Sequence, residues 1–190
     1  MKFVDKITTQ THEVKQSKFI AYLMPYSKYT ATLEELKHSN PKARHFVVAY
    51  RYLNEFNQII EHSGDDGEPK GTSGKPSLMV IQGAHIINSA VIIVRYFGGT
   101  KLGTGGLVRA YSDAVNLVLD SAEFLEYKQK IIKEIVVEYS NLRMVEHECS
   151  TCEVEILEKS FDAQIKYKIE ASEADMRIFL EKVQRLAKVF

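Results

Sequence analysis

The sequence has no excess of charge of either sign and very little cysteine. Its 25 basic and 25 acidic side chains cancel, so it lacks the basic surplus of a general nucleic-acid-binding protein, and any contact with RNA has to be local. The two cysteines, Cys149 and Cys152, are too few for a disulfide framework and are typical of a reducing compartment. We therefore expect an intracellular, cytoplasmic protein.

Long hydrophobic runs are also missing. The most apolar segment, residues 90–94, is far shorter than the ~20 residues that cross a bilayer. The first residues, Met1 to Lys6, lack the apolar core of a signal peptide. We expect no membrane segment, and the sequence does not indicate an oligomeric state.

Hydrophobic periodicity predicts an α+β protein with two domains, residues 1–126 and 127–190. The 190 residues are 45% hydrophobic, which is enough material for a packed core. In the first domain we expect strands near residues 11–15, 19–24, 46–50, 56–61 and 86–96, and helices over 30–38 and from the 98–106 segment to about 118. Val91 to Val94 is apolar at successive positions, which predicts a central strand buried on both faces.

The second domain follows the order βαββα, which is that of a small ferredoxin-like sandwich. Strands are predicted at 131–139, 154–157 and 165–171, with a helix at 141–149 between the first two. Ser172 and Asp175 form a capping box that starts the last helix. Residues 187–190 have the pattern of one more strand.

Glycine is concentrated in two segments of the first domain. Ser63 to Pro76 consists almost entirely of turn formers and charges, so we expect it to form a loop without regular structure. The second segment, Gly98 to Gly106, is expected to open the helix that follows. Together these segments hold nine of the ten glycines, and a long structureless loop within a compact domain is often functional.

The second segment allows two interpretations, an anion site or tight turns that join a strand to its helix. Free amides at a helix N-terminus with nearby cations suit a phosphate or carboxylate. The candidate anion-binding or RNA-binding residues are Lys70, Thr72, Lys75, Arg95, Gly98, Gly99, Lys101, Gly105, Gly106 and Arg109. Because Arg95 ends an apolar strand, it needs a partner or a place at the open end of the sheet. Arg109 and Asp113 have the spacing of a surface ion pair.

Three carboxylates in four residues, Asp65, Asp66 and Glu68, also allow two interpretations. They could hold Mg²⁺ beside a phosphate or supply an acid/base pair, or they could form a solvated loop that docks a basic partner. Neither glycine segment has the P-loop or dinucleotide spacing. We therefore predict no cofactor and no catalytic residue, with Mg²⁺-dependent phosphoryl transfer or hydrolysis as the alternative.

The residues near the two cysteines provide too few ligands for zinc. His147, Cys149 and Cys152 bring three soft donors together, but a closed zinc site needs a fourth. We predict no metal site, and the sequence leaves open whether the two thiols have a redox role.

The long motifs of the first domain resemble the signature of the IMPACT family in its bacterial YigZ branch. They are Asp65-Asp66-Gly67-Glu68-Pro69, Gly71-Thr72-Ser73-Gly74 with Pro76, Val94-Arg95-Tyr96-Phe97-Gly98-Gly99, Lys101-Leu102-Gly103, Gly105-Gly106-Leu107 and Arg109-Ala110-Tyr111. The departures are small: Gly64 stands between Ser63 and Asp65, and Ser73 replaces a usual alanine.

The resemblance implies an N-terminal domain like the second domain of ribosomal protein S-five and a C-terminal domain similar to late domains of elongation factor G. Both likenesses imply a partner in translation, either the ribosome or RNA, and the acidic loop is a candidate surface for a protein partner. Eukaryotic relatives regulate translation during amino-acid starvation by competing for the activator of an initiation-factor kinase. Because bacteria lack that pathway, we expect this chain to share the fold of the eukaryotic relatives but not their biological task.

Overall fold

The computed structural model describes residues 1–189, and the chain divides into two compact units, Met1–Tyr127 and a second that begins at Lys128. Both units combine helices with antiparallel sheets. Within the described residues, no helix is long and apolar enough to cross a membrane.

Besides a short 3-10 helix before its first α-helix, the first unit contains seven strands and three α-helices. In chain order they are β1 (Lys2–Phe3), β2 (Thr8–Val14), β3 (Ser17–Pro25), α1 (Tyr29–Ser39), β4 (His45–Leu53), β5 (Ile59–Gly64), α2 (Gly74–Gly83), β6 (Ser89–Tyr96), α3 (Gly103–Asp120) and β7 (Leu125–Glu126). Strands β1 and β7 form a small antiparallel pair, in which Lys2 lies opposite Glu126 and Phe3 opposite Leu125.

The main sheet of this unit has five strands in the order β2-β3-β6-β4-β5, and every neighbouring pair is antiparallel. Strand β6 is central, and all its residues from Ser89 to Arg95 are buried. This confirms the strand predicted from the apolar run Val91 to Val94, although it begins at Ser89 rather than at residue 86.

Helices cover both faces of the sheet. Helices α2 and α3 pack on one face over Phe19, Val47 and Ile93, and Tyr111 of α3 enters the same core. A fully buried side chain of this size contributes roughly 1.5–3 kcal/mol to folding. The opposite face carries helix α1, whose Leu36 packs in a second core cluster.

The prediction that Ser63 to Pro76 lacks regular structure is wrong at both ends of that segment. Ser63 and Gly64 complete β5, and Gly74 to Pro76 form the first turn of α2, a helix that the sequence did not reveal. Proline is tolerated there because amides of the first helical turn have no partner within the helix. The true connection is therefore residues 65–73.

The second unit has four strands and two helices in the predicted order. They are β8 (Lys130–Val137), α4 (Leu142–Thr151), β9 (Glu155–Phe161), β10 (Ile165–Ser172), α5 (Glu173–Val183) and β11 (Ala187–Val189). The sheet order is β11-β8-β10-β9. Ser172 caps α5 by accepting a hydrogen bond from the Asp175 amide at 3.2 Å, as predicted. The last residue assigned to the predicted final strand, Phe190, lies outside the described residues.

Candidate anion-binding site

The two glycine-rich segments leave the main sheet at the same end. Strands β5 and β6 both pair antiparallel with β4, so they run in the same direction, and their C-terminal ends lie at the same end of the sheet. Residues 65–73 follow β5 and lead into α2, while residues 97–102 follow β6 and lead into α3. The N-termini of α2 and α3 therefore both lie at this end.

Arg95 is not an exposed cation at this end. It is only 6% exposed, and its Nη1 donates to Oε1 of Glu68, which is 8% exposed. The same Glu68 oxygen accepts a hydrogen bond from the Tyr111 hydroxyl at 2.7 Å, and His45 Nε2 lies 3.8 Å away. Of the two alternatives for Arg95, the structure shows a buried partner, which leaves its guanidinium without direct access to an external phosphate.

The Glu68–Arg95–Tyr111 network joins three parts of the unit, namely the 65–73 connection, β6 and α3. Burial, followed by the nearby Glu68 carboxylate, raises the pKa of Tyr111 well above its usual range, so the hydroxyl stays protonated and donates. The network is not complete, because the buried Arg95 Nε has no hydrogen-bond partner within residues 1–189. Breaking a buried ion pair by removing one partner is strongly destabilising.

Asp65 organises the start of α2. Its Oδ1 accepts hydrogen bonds from the Ser73 hydroxyl at 2.7 Å, the Gly74 amide at 2.8 Å and the Ser73 amide at 3.2 Å, and its Oδ2 accepts from the Gly71 amide at 2.7 Å. Burial acts to raise the pKa of Asp65, but these hydrogen bonds outweigh it and lower the pKa below its ordinary value. Asp65 is thus the acceptor that satisfies first-turn amides.

The next acidic residue is tied to strand β4. Asp66 Oδ2 accepts a hydrogen bond from the Phe46 amide at 2.6 Å, and the Asp66 carbonyl lies 2.7 Å from His45 Nδ1. Asp66 also has a left-handed backbone, with φ of 45°. All three carboxylates predicted to dock a partner or hold a metal therefore already have protein partners.

Residues 1–189 contain no group of three or more His, Cys, Asp or Glu side chains arranged to hold a metal ion. Cys149 and Cys152 are buried free thiols in the core of the second unit. Burial, and then the nearby Glu146, raises the pKa of Cys149 to about 11, which makes it a poor nucleophile at neutral pH.

Thr72 and Gly98, both predicted to contact an anion, have structural partners. Thr72 is 7% exposed, and its hydroxyl donates to the Pro69 carbonyl at 2.7 Å. The Gly98 amide donates to Ser17 Oγ at 3.0 Å, and a Cβ at Gly98 would lie 2.0 Å from the carbonyl carbon of Gln16. Glycine is required at this position because the backbone of the neighbouring β-turn passes so closely.

Four predicted cations remain exposed, and none of them forms an ion pair in the part of the chain that the structure describes. They are Lys70, Lys75, Lys101 and Arg109. Gly99 and Gly105 are also exposed. The expected ion pair between Arg109 and Asp113 does not form.

Arg109 and Asp113 instead line a groove of about 540 Å³ between α3 and β2. Gly105 and Gly106 line the α3 side. His12, Glu13 and Lys15 line the β2 side. No sequence pattern indicated this contribution, because the mixed polar pattern of β2 is typical of an ordinary edge strand. No side chain caps the N-terminus of α3 in the described structure, so its first amides are available to a ligand.

The fold and the glycine-rich end define a two-unit α+β protein with a motif shared by known proteins. Residues 15–119 match the family model described as Impact N-terminal domain. An IMPACT family member of Haemophilus influenzae is 36% identical over 174 residues, covering 88% of this chain and 82% of the relative. YigZ of Escherichia coli is 31% identical over 179 residues, covering 92% and 87%.

The chain belongs to the IMPACT family, which confirms the resemblance drawn from its motifs. The fold is also similar to a solved structure over the full length of the chain. A crystal structure of a hypothetical protein is 27% identical, has a TM-score of 0.73 and covers 100% of this chain and 95% of its own.

Proposed function

We propose that this chain is a non-catalytic binding protein of translation that acts in the cytoplasm and contacts the phosphate backbone of RNA through its glycine-rich end. The observation that carries the proposal is the set of exposed cations Lys70, Lys75, Lys101 and Arg109, which lack acidic partners within residues 1–189. Phosphate oxygens would supply those partners.

The N-terminus of α3 adds backbone donors to these cations. Its 18 residues align their peptide dipoles, and the uncapped first turn carries partial positive charge. Arg109 lies one turn further along, and Lys101 precedes the helix. Amides and cations on one side of a groove are suited to a phosphate oxygen.

Negative charge on both walls of the groove limits this attraction. Glu13 lies on the β2 side, and Asp113 lies on the α3 side with Arg109. With zero net charge on the chain, binding depends on a few contacts, and we expect a slope of log K against log salt of about −2 to −3 for three or four phosphates on a single strand. Arg95 is excluded from this set because it is buried against Glu68.

An enzyme that uses the acidic connection gains no support from the geometry. The Asp65 oxygens accept four hydrogen bonds, and Glu68 is held by Arg95 and Tyr111. A Mg²⁺ ion would have to displace these donors before it could meet a phosphate. The binding function is therefore the one that we propose.

We also propose a specific fold for each of the two units. The sheet order β11-β8-β10-β9, with α4 and α5 packed in one core, supports a ferredoxin-like second unit similar to late domains of elongation factor G. The likeness of the first unit to the second domain of ribosomal protein S-five rests on family membership.

Cosedimentation of the chain with single-stranded RNA and with ribosomal subunits, over a series of salt concentrations, tests the proposal. The double variant Lys101→Ala/Arg109→Ala is expected to bind RNA about tenfold more weakly and with a smaller salt slope. Its stability is expected to stay within about 0.5 kcal/mol of the parent, because both side chains are exposed.

The matched control is Lys37→Ala/Lys42→Ala, which removes two exposed lysines from another part of the same unit. This control should bind as the parent does. Equal losses in the two double variants, or binding that does not change with salt, would contradict the proposal.

A further inference from the structure

A second groove lies at the opposite end of the first unit's main sheet. Strands β3 and β4 end there and β6 begins, whereas the glycine-rich segments leave from the other end. The groove has a volume of about 530 Å³ and is lined by four aromatic side chains, Phe3, Tyr26, Tyr52 and Tyr127. This volume is in the range of small-molecule sites.

Two of these rings belong to a larger aromatic stack. The Tyr26 and Tyr52 rings are parallel to within 4° with centroids 4.1 Å apart, and Tyr29 lies within 9° of Tyr26 at 6.2 Å. Tyr50 contacts all three rings. Burial, and then the neighbouring Tyr50 and Tyr52, raises the pKa of Tyr26 to about 12, so its hydroxyl stays protonated.

Few polar groups line the groove, and two of them are exposed charges of opposite sign. Asp5 and Lys28 form no ion pair in the described residues. Asn88 is fixed, because its Oδ1 accepts from the Leu53 amide at 2.9 Å and its carbonyl accepts from the Tyr26 amide at 2.8 Å. The Asn88 side-chain amide is left as a hydrogen-bond donor.

We propose that this groove binds a nucleotide, with the base stacked on the face of the Tyr52 ring that Tyr26 does not cover. The Asp5 carboxylate accepts from amino groups on the edge of the base, and the Asn88 amide donates to a ring nitrogen or carbonyl. Lys28 pairs with the phosphate.

Charge complementarity favours a nucleotide over an apolar ligand. A proline-rich or aliphatic segment would pack on the aromatic rings and leave Asp5 and Lys28 without partners. A nucleotide has amino groups on its base for Asp5 and a phosphate for Lys28. The shared chemistry of base, sugar and phosphate is present in a free nucleotide and in single-stranded RNA. The site is separate from the glycine-rich end, so it does not depend on the function proposed above.

Calorimetric titration of the full chain tests the proposal with four probes: AMP, adenosine, ribose 5-phosphate and a single-stranded RNA decamer. We expect AMP to bind more tightly than either fragment. Tyr52→Ala should weaken AMP binding about tenfold or more, because stacking on an aromatic ring is lost. Tyr52→Phe keeps the ring and should bind within about threefold of the parent.

Variants of the two charged residues provide a second test, because a purely structural role would not change the affinity for one ligand and spare another. Lys28→Ala should weaken AMP and ribose 5-phosphate but leave adenosine unchanged, and Asp5→Asn should weaken AMP and adenosine but not ribose 5-phosphate. In the Lys101→Ala/Arg109→Ala background, which weakens the RNA contacts proposed for the glycine-rich end, tighter binding of the decamer than of AMP identifies RNA as the source of the nucleotide, and the reverse order identifies a free nucleotide.

Three results would overturn the proposal. The first is no heat of binding with millimolar AMP and none with the RNA decamer in the Lys101→Ala/Arg109→Ala background. The second is that the parent, Tyr52→Ala and Lys28→Ala all bind AMP equally well. The third is that the parent binds a proline-rich peptide through Tyr52 and does not bind AMP. If Tyr52→Ala does not fold, Lys28→Ala and Asp5→Asn still test the proposal, because both residues are exposed. Lys101→Ala/Arg109→Ala should bind AMP as the parent does, which separates this site from the glycine-rich end.

Discussion

Within the glycine-rich end, the charged residues of one motif divide into an inner and an outer set. The inner set, Asp65, Glu68 and Arg95, is bound to protein donors and acceptors, and Glu68 and Arg95 are less than 10% exposed. The outer set, Lys70, Lys75, Lys101 and Arg109, is exposed and without ion pairs in residues 1–189. A motif dense in charge can therefore serve mainly to fix a backbone, while fewer of its residues are left to bind a ligand.

Removing the arginine of the inner set should have the largest effect on stability. Arg95→Ala leaves the Glu68 carboxylate buried with only the Tyr111 hydroxyl as a close donor, so we expect the free energy of unfolding to fall by about 3–5 kcal/mol. Urea denaturation measures this change. Glu68→Gln, which stays polar and similar in shape, should lose less than Glu68→Ala, and a loss for Arg95→Ala below about 1 kcal/mol would mean that water solvates the pair.

The second acceptor of the inner set should show a smaller effect and a distinct pH dependence. Asp65→Ala removes the partner of four donors at the start of α2, and we expect a loss of about 2–3 kcal/mol. Asp66→Asn is the control, because asparagine tolerates the left-handed backbone at this position. The Asp66 side chain accepts one hydrogen bond, so the loss should be at most about 1 kcal/mol. Equal losses at the two positions would contradict the assigned role of Asp65.

The sign of the pH effect follows from the lowered pKa of Asp65. A group with a lowered folded-state pKa stabilises the fold above its unfolded-state pKa, which is near 3.8, and that contribution is lost as the pH falls through the folded-state value. The stability difference between the parent and Asp65→Ala should therefore be full at neutral pH and shrink in acid below the ordinary pKa. Urea denaturation at several pH values checks this.

Two glycines extend the contrast between buried and exposed positions to the packing of the backbone. Gly98→Ala places a methyl group against the Gln16 backbone, and we expect a loss of about 2 kcal/mol from overpacking. Gly105→Ala, in the first turn of α3 with no atom within 4 Å of the added Cβ, should stabilise the chain by about 0.5 kcal/mol. Thermal unfolding of both variants measures these opposite effects. A destabilised Gly105→Ala would contradict the open space beside Gly105 in the first turn of α3.

Most strands and helices could be predicted because their patterns are local. Val91 to Val94 indicated the central strand, and Ser172 with Asp175 fixed the start of α5. Helix α2 was missed because Gly74 and Pro76 are turn formers and the acceptor that stabilises its first turn, Asp65, is nine residues away from Gly74. Because the capping residue is so far from the helix in the sequence, no short sequence motif marks the start of α2.

The site was only partly predictable for the same reason. The sequence singled out Glu68 and Arg95 as charged, but their pairing spans 27 residues, and no spacing rule connects them. The Tyr50-x-Tyr52 alternation on β4 does place two rings on one face of a strand, and that signal could have drawn attention to the aromatic groove. Its other members come from distant segments such as Phe3 and Tyr127.

The small pairing of β1 with β7 has a consequence for how the first unit is closed. Lys2 and Phe3 meet Glu126 and Leu125, and the Tyr127 amide donates to the Met1 carbonyl at 2.9 Å. The first and last residues of the unit are therefore side by side, so a short linker could join them and new termini could be opened in an exposed turn. The same closure means that the final pairing of this unit has to wait until about 125 residues of chain have left the ribosome, which places it among the late, long-range steps of folding.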